Sequence, residues 1–320
     1  MADADPLVAV VAFAYGTAVV GLLLAYACRP CFHRGRRQPT HAEAALCALL
    51  PVGAIVVGVA MAVSADLPTH QPPMHDLWHA WIDRIPSGPA VHAAFHAANY
   101  LLVLAVLLGL GRSLYGLAQT QSFARALRRA ATPLLVRESV AVYTLETPRL
   151  LCFSVGLRTP CICISSSLLA RLSDRERDIL LAHEVAHVRR RDNLLNALLV
   201  AFYTLFPLPG GRRLYEDWVR AAERACDAEA ARQAEDPCDV AATLVAVVGL
   251  TRRWATPGAA HFAAVGDDIA GRVRALLALP RRGPAPARCF WLIPLLLLLA
   301  GGVGAAQPSL LHLVEAFVRH

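Results

Sequence analysis

The sequence predicts a multi-pass α-helical membrane protein, with four transmembrane helices and a cytoplasmic α+β domain between the third and the fourth. Three observations predict it. The chain is 56% hydrophobic with only 17% charged residues, more apolar than ordinary soluble domains. Four apolar stretches approach the roughly 20 residues that a helix needs to cross a bilayer core of about 30 Å. The arginines gather between alternate pairs of those stretches, as they do in cytoplasmic loops.

The first expected span is Leu7–Ala27. The residues before it carry Asp3 and Asp5 and no base, unlike the basic start of a cleaved signal peptide. The second is Ala44–Ser64 and the third Val91–Gly111, so residues 1–111 hold three helices and an external loop at 65–90. The fourth, Phe290–Ala306, lies within 288–320 and leaves a short external tail. Arg29, Arg34, Arg36 and Arg37 follow the first span, whereas the loop after the second holds Asp66, Asp76, Asp83 and Arg84. Arg112, Arg125, Arg128, Arg129 and Arg137 follow the third, and Arg281, Arg282 and Arg288 precede the fourth. Both termini are then expected outside, with residues 112–287 in the cytoplasm. All 31 basic residues are Arg, which with the abundant Ala points to a GC-rich bacterial genome and hence an inner membrane. The lipid bilayer is an expected partner and a homo-oligomer is compatible. Direct nucleic-acid binding is not expected, because no recognition motif accompanies the net charge of +7.

Residues 112–287 are the soluble portion large enough for a domain. Ser113–Ala131 reads as an amphipathic helix. Val136–Tyr143, Cys152–Val155 and Cys161–Ser165 are rich in β-formers, and Gly156 and Pro160 make the last two a hairpin. Ser173-Asp-Arg-Glu176 is a capping box that opens a helix through Ile179, Leu181, Val185 and Val188. Asn193–Leu208 is apolar and reads as a buried helix rather than a fifth span. Arg212–Gln233 reads as a polar helix, and further helices are expected around Asp239–Trp254 and Asp267–Ala278.

The capped helix carries His183-Glu-Val-Ala-His187. Two His four residues apart sit one turn above each other, so both imidazoles can reach one metal ion. Glu184, between them, is placed to take a proton from an attacking water. A catalytic zinc usually has three protein ligands and one open position. The third ligand is expected from Glu223, with Asp227 one turn on to orient a ligand His. Cys226 ranks behind Glu223 as a ligand. The expected complement is one Zn2+ per chain. A strand such as Cys161–Ser165 is a candidate to hold an extended substrate by edge pairing.

Two other clusters carry weaker signals. Cys28-x-x-Cys31-x-His33 has a metal or redox spacing but no second half-site, so thiols at the membrane edge are the preferred reading. His70, His75, His79, His92 and His96 include i,i+4 pairs that could sense an external metal, although scattered solvated His is the plainer account.

Phe153–Gly156, Pro160–Ile164, Ser166–Leu169, Leu181–Asp192 and Glu223–Asp227 together resemble the BlaR1/MecR1 family of membrane metallopeptidases, the M56 type, over roughly residues 150–232. The resemblance implies a gluzincin-like fold, with His183, His187 and Glu223 as zinc ligands and Glu184 as base. It implies a regulatory protease that cleaves a protein substrate such as a winged-helix transcriptional repressor, and itself, on an external signal. The family's antibiotic receptors add a penicillin-binding domain with a Ser nucleophile and a Lys base. Here Gln307–His320 follows the fourth span and the chain has no Lys, so β-lactam sensing by that chemistry is not expected. Phe206 stands before Pro207 where the family often has Asn or His. The alternatives are a membrane-protein quality-control protease and a non-catalytic zinc-binding signalling protein.

Overall fold

A computed structural model describes residues 18–27, 40–65, 89–206, 209–253 and 268–278. Residues 18–27 are helical. Helices α1 (His41–Ala65) and α2 (Pro89–Ala130) lead into strands β1 (Thr132–Arg137), β2 (Val140–Leu145), β3 (Cys152–Val155) and β4 (Cys161–Ser165). Helices α3 (Ser166–Leu169), α4 (Asp174–Arg189), α5 (Asp192–Leu205), α6 (Gly211–Ala234), α7 (Pro237–Arg253) and α8 (Ile269–Leu277) follow.

Among the described residues no helix is long and apolar enough to cross a membrane. This overturns the four-span architecture expected from hydropathy. The physical reason lies in what the apolar residues touch. The start of α1 buries Ala44 and Ala48 against Leu199, Trp218, Ala221 and Ala222 of α5 and α6, and Pro51 interrupts its hydrogen bonding. On α2, Gly109 lies so close to α5 that an added Cβ would stand 3.1 Å from the Leu205 Cα, and the Ser113 hydroxyl donates to the Ala201 carbonyl at 3.3 Å. Leu101, Leu104, Leu107 and Leu108 remain exposed, and a hydropathy window counts them together with residues that serve packing. The first half of the expected span 7–27, the loop 66–88, the span 290–306, Cys28, Cys31, His33, His70, His75 and His79 lie outside the described residues, as do the side chains of His92 and His96.

The sheet has the order β1-β2-β4-β3. The reading of one strand over Val136–Tyr143 is corrected: Glu138 and Ser139 both adopt positive φ, 47° and 66°, and fold the run into the β1–β2 hairpin. Such tight two-residue turns need left-handed backbone that sequence alone rarely flags in Glu and Ser. The β3–β4 hairpin forms as expected, with Gly156 at φ 101°. Strand β4 lies inside the sheet, antiparallel to β3 and parallel to β2, and all five of its residues are buried. Its backbone groups are committed on both sides, so it offers no edge to a substrate. The sheet edges are β1 and β3.

One face of the sheet meets α4. Leu181, Val185 and Val188, spaced i, i+4, i+7, pack with Val142, Ile162, Ile164 and Leu168. Burying each such side chain contributes about 1.5–3 kcal/mol. Ser173 caps α4: its Oγ accepts from the Glu176 amide while the Glu176 carboxylate accepts from the Ser173 amide at 2.9 Å. The cap sets where the helix starts, and thus which residues turn away from the sheet. His183 and His187, two positions on from Leu181 and Val185, point to the opposite side. There Ala182 packs with Ala230, Ala231 and Ala234 of α6, and these short side chains let the two helices approach closely.

Candidate metal centre

The two His of α4 face Glu223 of α6. His183 Nε2 lies 3.6 Å from Glu223 Oε2, and His187 Nε2 lies 3.5 Å from Glu223 Oε1. Ligands about 2.1 Å from one tetrahedral ion are roughly 3.4 Å apart, so these separations suit a shared cation. The other ring nitrogen of each His is anchored. His183 Nδ1 meets Asp227 Oδ1 at 3.0 Å, and His187 Nδ1 meets Asp192 Oδ2 at 2.8 Å. A carboxylate on Nδ1 holds the proton there and leaves the Nε2 lone pair for a metal. Two imidazoles and one carboxylate are the donor set of a borderline-soft divalent ion, so the residues fit a metal of that kind.

Each anchoring carboxylate is itself held by an arginine. Arg272 of α8 donates to both oxygens of Asp227, at 2.6 and 2.7 Å, and reaches Glu223 Oε2 at 2.9 Å. Arg190 donates to Asp192 Oδ2, to the Ala222 carbonyl and to the Cys226 sulfur, each at 2.9 Å. Burial acts to raise the Glu223 pKa, but His183, His187 and Arg272 outweigh it and hold the carboxyl well below the usual range. Burial likewise opposes charging of His183, yet Asp227 and Glu223 push its pKa up to about 10. Asp192 is held ionised despite burial by His187, His41 and Arg190.

Cys226 Sγ also comes within 4.8 Å of donor nitrogens of His183 and His187. Glu223 is the better third ligand. Burial drives the Cys226 thiol well above its ordinary value, a change that Glu223, Asp192 and Glu184 reinforce against Arg190. A thiol must lose its proton to bind metal, whereas Glu223 is already ionised and presents both oxygens to the two Nε2 atoms.

Glu184 is buried on α4, and its charge raises the pKa of Cys152 on β3 beyond the effect of burial. Helix α4 packs against β3 as well as against α6. Ser154 of that strand is tied to α5 by the Asn193 amide at 3.3 Å.

The structure thus brings together all five residues singled out from the sequence: His183, Glu184, His187, Glu223 and Asp227. It adds Asp192, Arg190, Arg272 and His41. Asp192 ends the run Arg189-Arg190-Arg191-Asp192, and an acidic residue five positions after the second His was its only signal. Arg191 at φ 55° turns the chain so that Asp192 swings back over His187. Arg272 and His41 are remote in sequence and carried no signal.

A paired-His helix, a facing carboxylate and an adjacent buried Glu are donors and acids of the kinds a hydrolytic metal centre needs. The profile of the BlaR1 peptidase M56 family matches residues 44–276, and the chain belongs to that family of metallopeptidases. Among solved structures it is similar to the crystal structure of S. mikatae Ste24p, at 12% identity and a TM-score of 0.33, over 85% of this chain and 99% of that one. No curated protein matches the chain.

Proposed function

We propose that the chain is a zinc-dependent endopeptidase in which His183, His187 and Glu223 hold the metal and Glu184 is the general base. The observation that carries this reading is the convergence of both Nε2 atoms on the two oxygens of Glu223 at 3.5 and 3.6 Å, with both Nδ1 atoms anchored. Bound zinc would polarise the scissile carbonyl and make water in the site acidic near neutral pH. Asp227 and Asp192 keep the two imidazoles in the ligating tautomer and orientation. Glu184 accepts the proton of the attacking water and passes it to the leaving nitrogen. Its buried position keeps bulk water from competing for that proton. An extended substrate would lie along β3, the sheet edge that packs against α4, since β4 is interior.

Family membership supports a regulatory role: cleavage of one protein substrate, a transcriptional repressor, and of the chain itself. Glu184→Gln tests both halves. The variant should retain one zinc by metal analysis while cleavage falls about 10²–10⁴-fold. A variant that cleaves at the wild-type rate removes the assignment. The same variant should trap substrate: a single repressor-like protein supports regulation, and a broad set of unfolded proteins points to quality control.

A further inference from the structure

The sequence separates His41 from His183 by more than 140 positions, yet the fold brings His41 to the same centre. Thr40 and Glu43 cap α1 reciprocally: the Thr40 amide donates to Glu43 Oε2 at 2.7 Å, and the Glu43 amide to Thr40 Oγ1 at 3.3 Å. This cap makes His41 the first residue of α1 and fixes the direction in which it projects. Its ring lies 6.4 Å from that of Trp218 on α6. His41 Nε2 stands 3.3 Å from Asp192 Oδ1. Both atoms are buried, and among the described residues neither makes a hydrogen bond elsewhere or meets hydrogen-bond geometry with the other. Buried polar atoms seldom go unpaired, so each is the other's natural partner. Asp192 Oδ2, meanwhile, takes His187 Nδ1 at 2.8 Å and Arg190 at 2.9 Å.

We infer that His41 is a positioning residue for the metal centre: by donating to Asp192 Oδ1 it fixes the carboxylate that orients His187, and so ties the integrity of the site to the docking of α1. The inference rests on His187 being a metal ligand. Without His41, Asp192 Oδ1 loses the one group that faces it among the described residues, and the plane of the carboxylate is set through Oδ2 alone. The His187 ring then loses its fixed plane. The contact is also local to α1's first turn. A shift of α1 along α6 carries His41 away from Asp192 while leaving Arg190 in place, because Arg190 is anchored independently to the Ala222 carbonyl. The helix that precedes the peptidase core is therefore wired to one metal ligand and not to the other.

Two substitutions separate this role from simple packing. His41→Phe keeps a ring beside Trp218 and removes the donor. His41→Gln places an amide donor near the position of Nε2. Co(II) is the probe, titrated by its visible absorption. His41→Phe should bind Co(II) about tenfold more weakly with an altered ligand-field spectrum, and His41→Gln should recover to within about twofold of wild type. In the metal-free protein, imidazole nitrogen–proton NMR correlations should show the His187 Nδ1 proton of wild type and Gln, shifted or exchange-broadened in Phe. The inference is overturned if Phe and wild type share the same Co(II) affinity, or if the His187 correlations superimpose. Should wild type take up no Co(II), the metal reading fails, and the imidazole spectra still decide this one.

Discussion

The two halves of the centre use the same plan with different support. On one side His183 rests on Asp227, and Asp227 is gripped through both oxygens by Arg272. On the other, His187 rests on Asp192, whose Oδ2 meets Arg190 and whose Oδ1, among the described residues, faces His41 alone. The first half is closed by a permanent cation within the peptidase core. In the second, Arg190 holds one oxygen and the other is left to a weaker donor brought by α1. The difference teaches that the rigidity of a ligand is set by what lies behind it, and that the more weakly backed half is where outside influence can enter.

The strongest way to break the contrast is Asp227→Ala. It strips the anchor from His183 and leaves buried Arg272 with Glu223 alone among the described residues. The expected loss is about 3–5 kcal/mol of stability from breaking the buried Arg272–Asp227 pair, and 10–100-fold in metal affinity. Chemical denaturation and metal titration read the two effects. Asp192→Asn should do less. It keeps the shape, and Arg190 keeps the Ala222 carbonyl, so metal affinity should fall about tenfold with little change in melting temperature. Equal losses of stability in the two variants would show that the halves are equivalently held.

A third test uses pH on the metal-free protein. The His183 pKa is raised to about 10 in the fold, above its ordinary 6.5. A raised histidine contributes stability that is complete below the unfolded pKa and is lost as pH rises through the folded value. The metal-free melting temperature should therefore decline between about pH 6.5 and 10, and Asp227→Asn should flatten the decline. A metal-free protein that is equally stable across that window contradicts the Asp227–His183 pairing. The smallest effect is Ser173→Ala, which removes one half of the capping box on α4. It should cost about 1 kcal/mol without altering metal affinity. Any change in affinity would mean that the cap also tunes the site.

Much of the site was legible in the sequence, for local reasons. HEVAH declares itself because helical spacing alone puts two imidazoles on one side, and Glu223 and Asp227 follow the same i,i+4 rule on α6. Leu181, Val185 and Val188 mark the opposite face of α4 by the same periodicity. What failed depended on partners elsewhere in the chain. Hydropathy could not tell an alanine that packs against Trp218 from one that meets lipid, so α1 and α2 were read as membrane spans. Cys161–Ser165 was correctly read as a strand, yet its pairing on both sides leaves it no free edge for the substrate role expected of it. The turn at Glu138–Ser139 was missed because positive φ in those residues is imposed by the hairpin they close.

The motif helix, its cap, and the candidates for ligands and base could be read from the sequence, because each is written in spacings of three or four residues along one element. The tertiary structure alone decided which edge of the sheet is open and that Arg272 and Arg190 stand behind the two carboxylates. It also decided that His41 reaches the second of them. Those contacts join residues from separate helices, and their existence depends on how closely alanine-lined helices pack. No local rule encodes that distance; only the assembled core sets it.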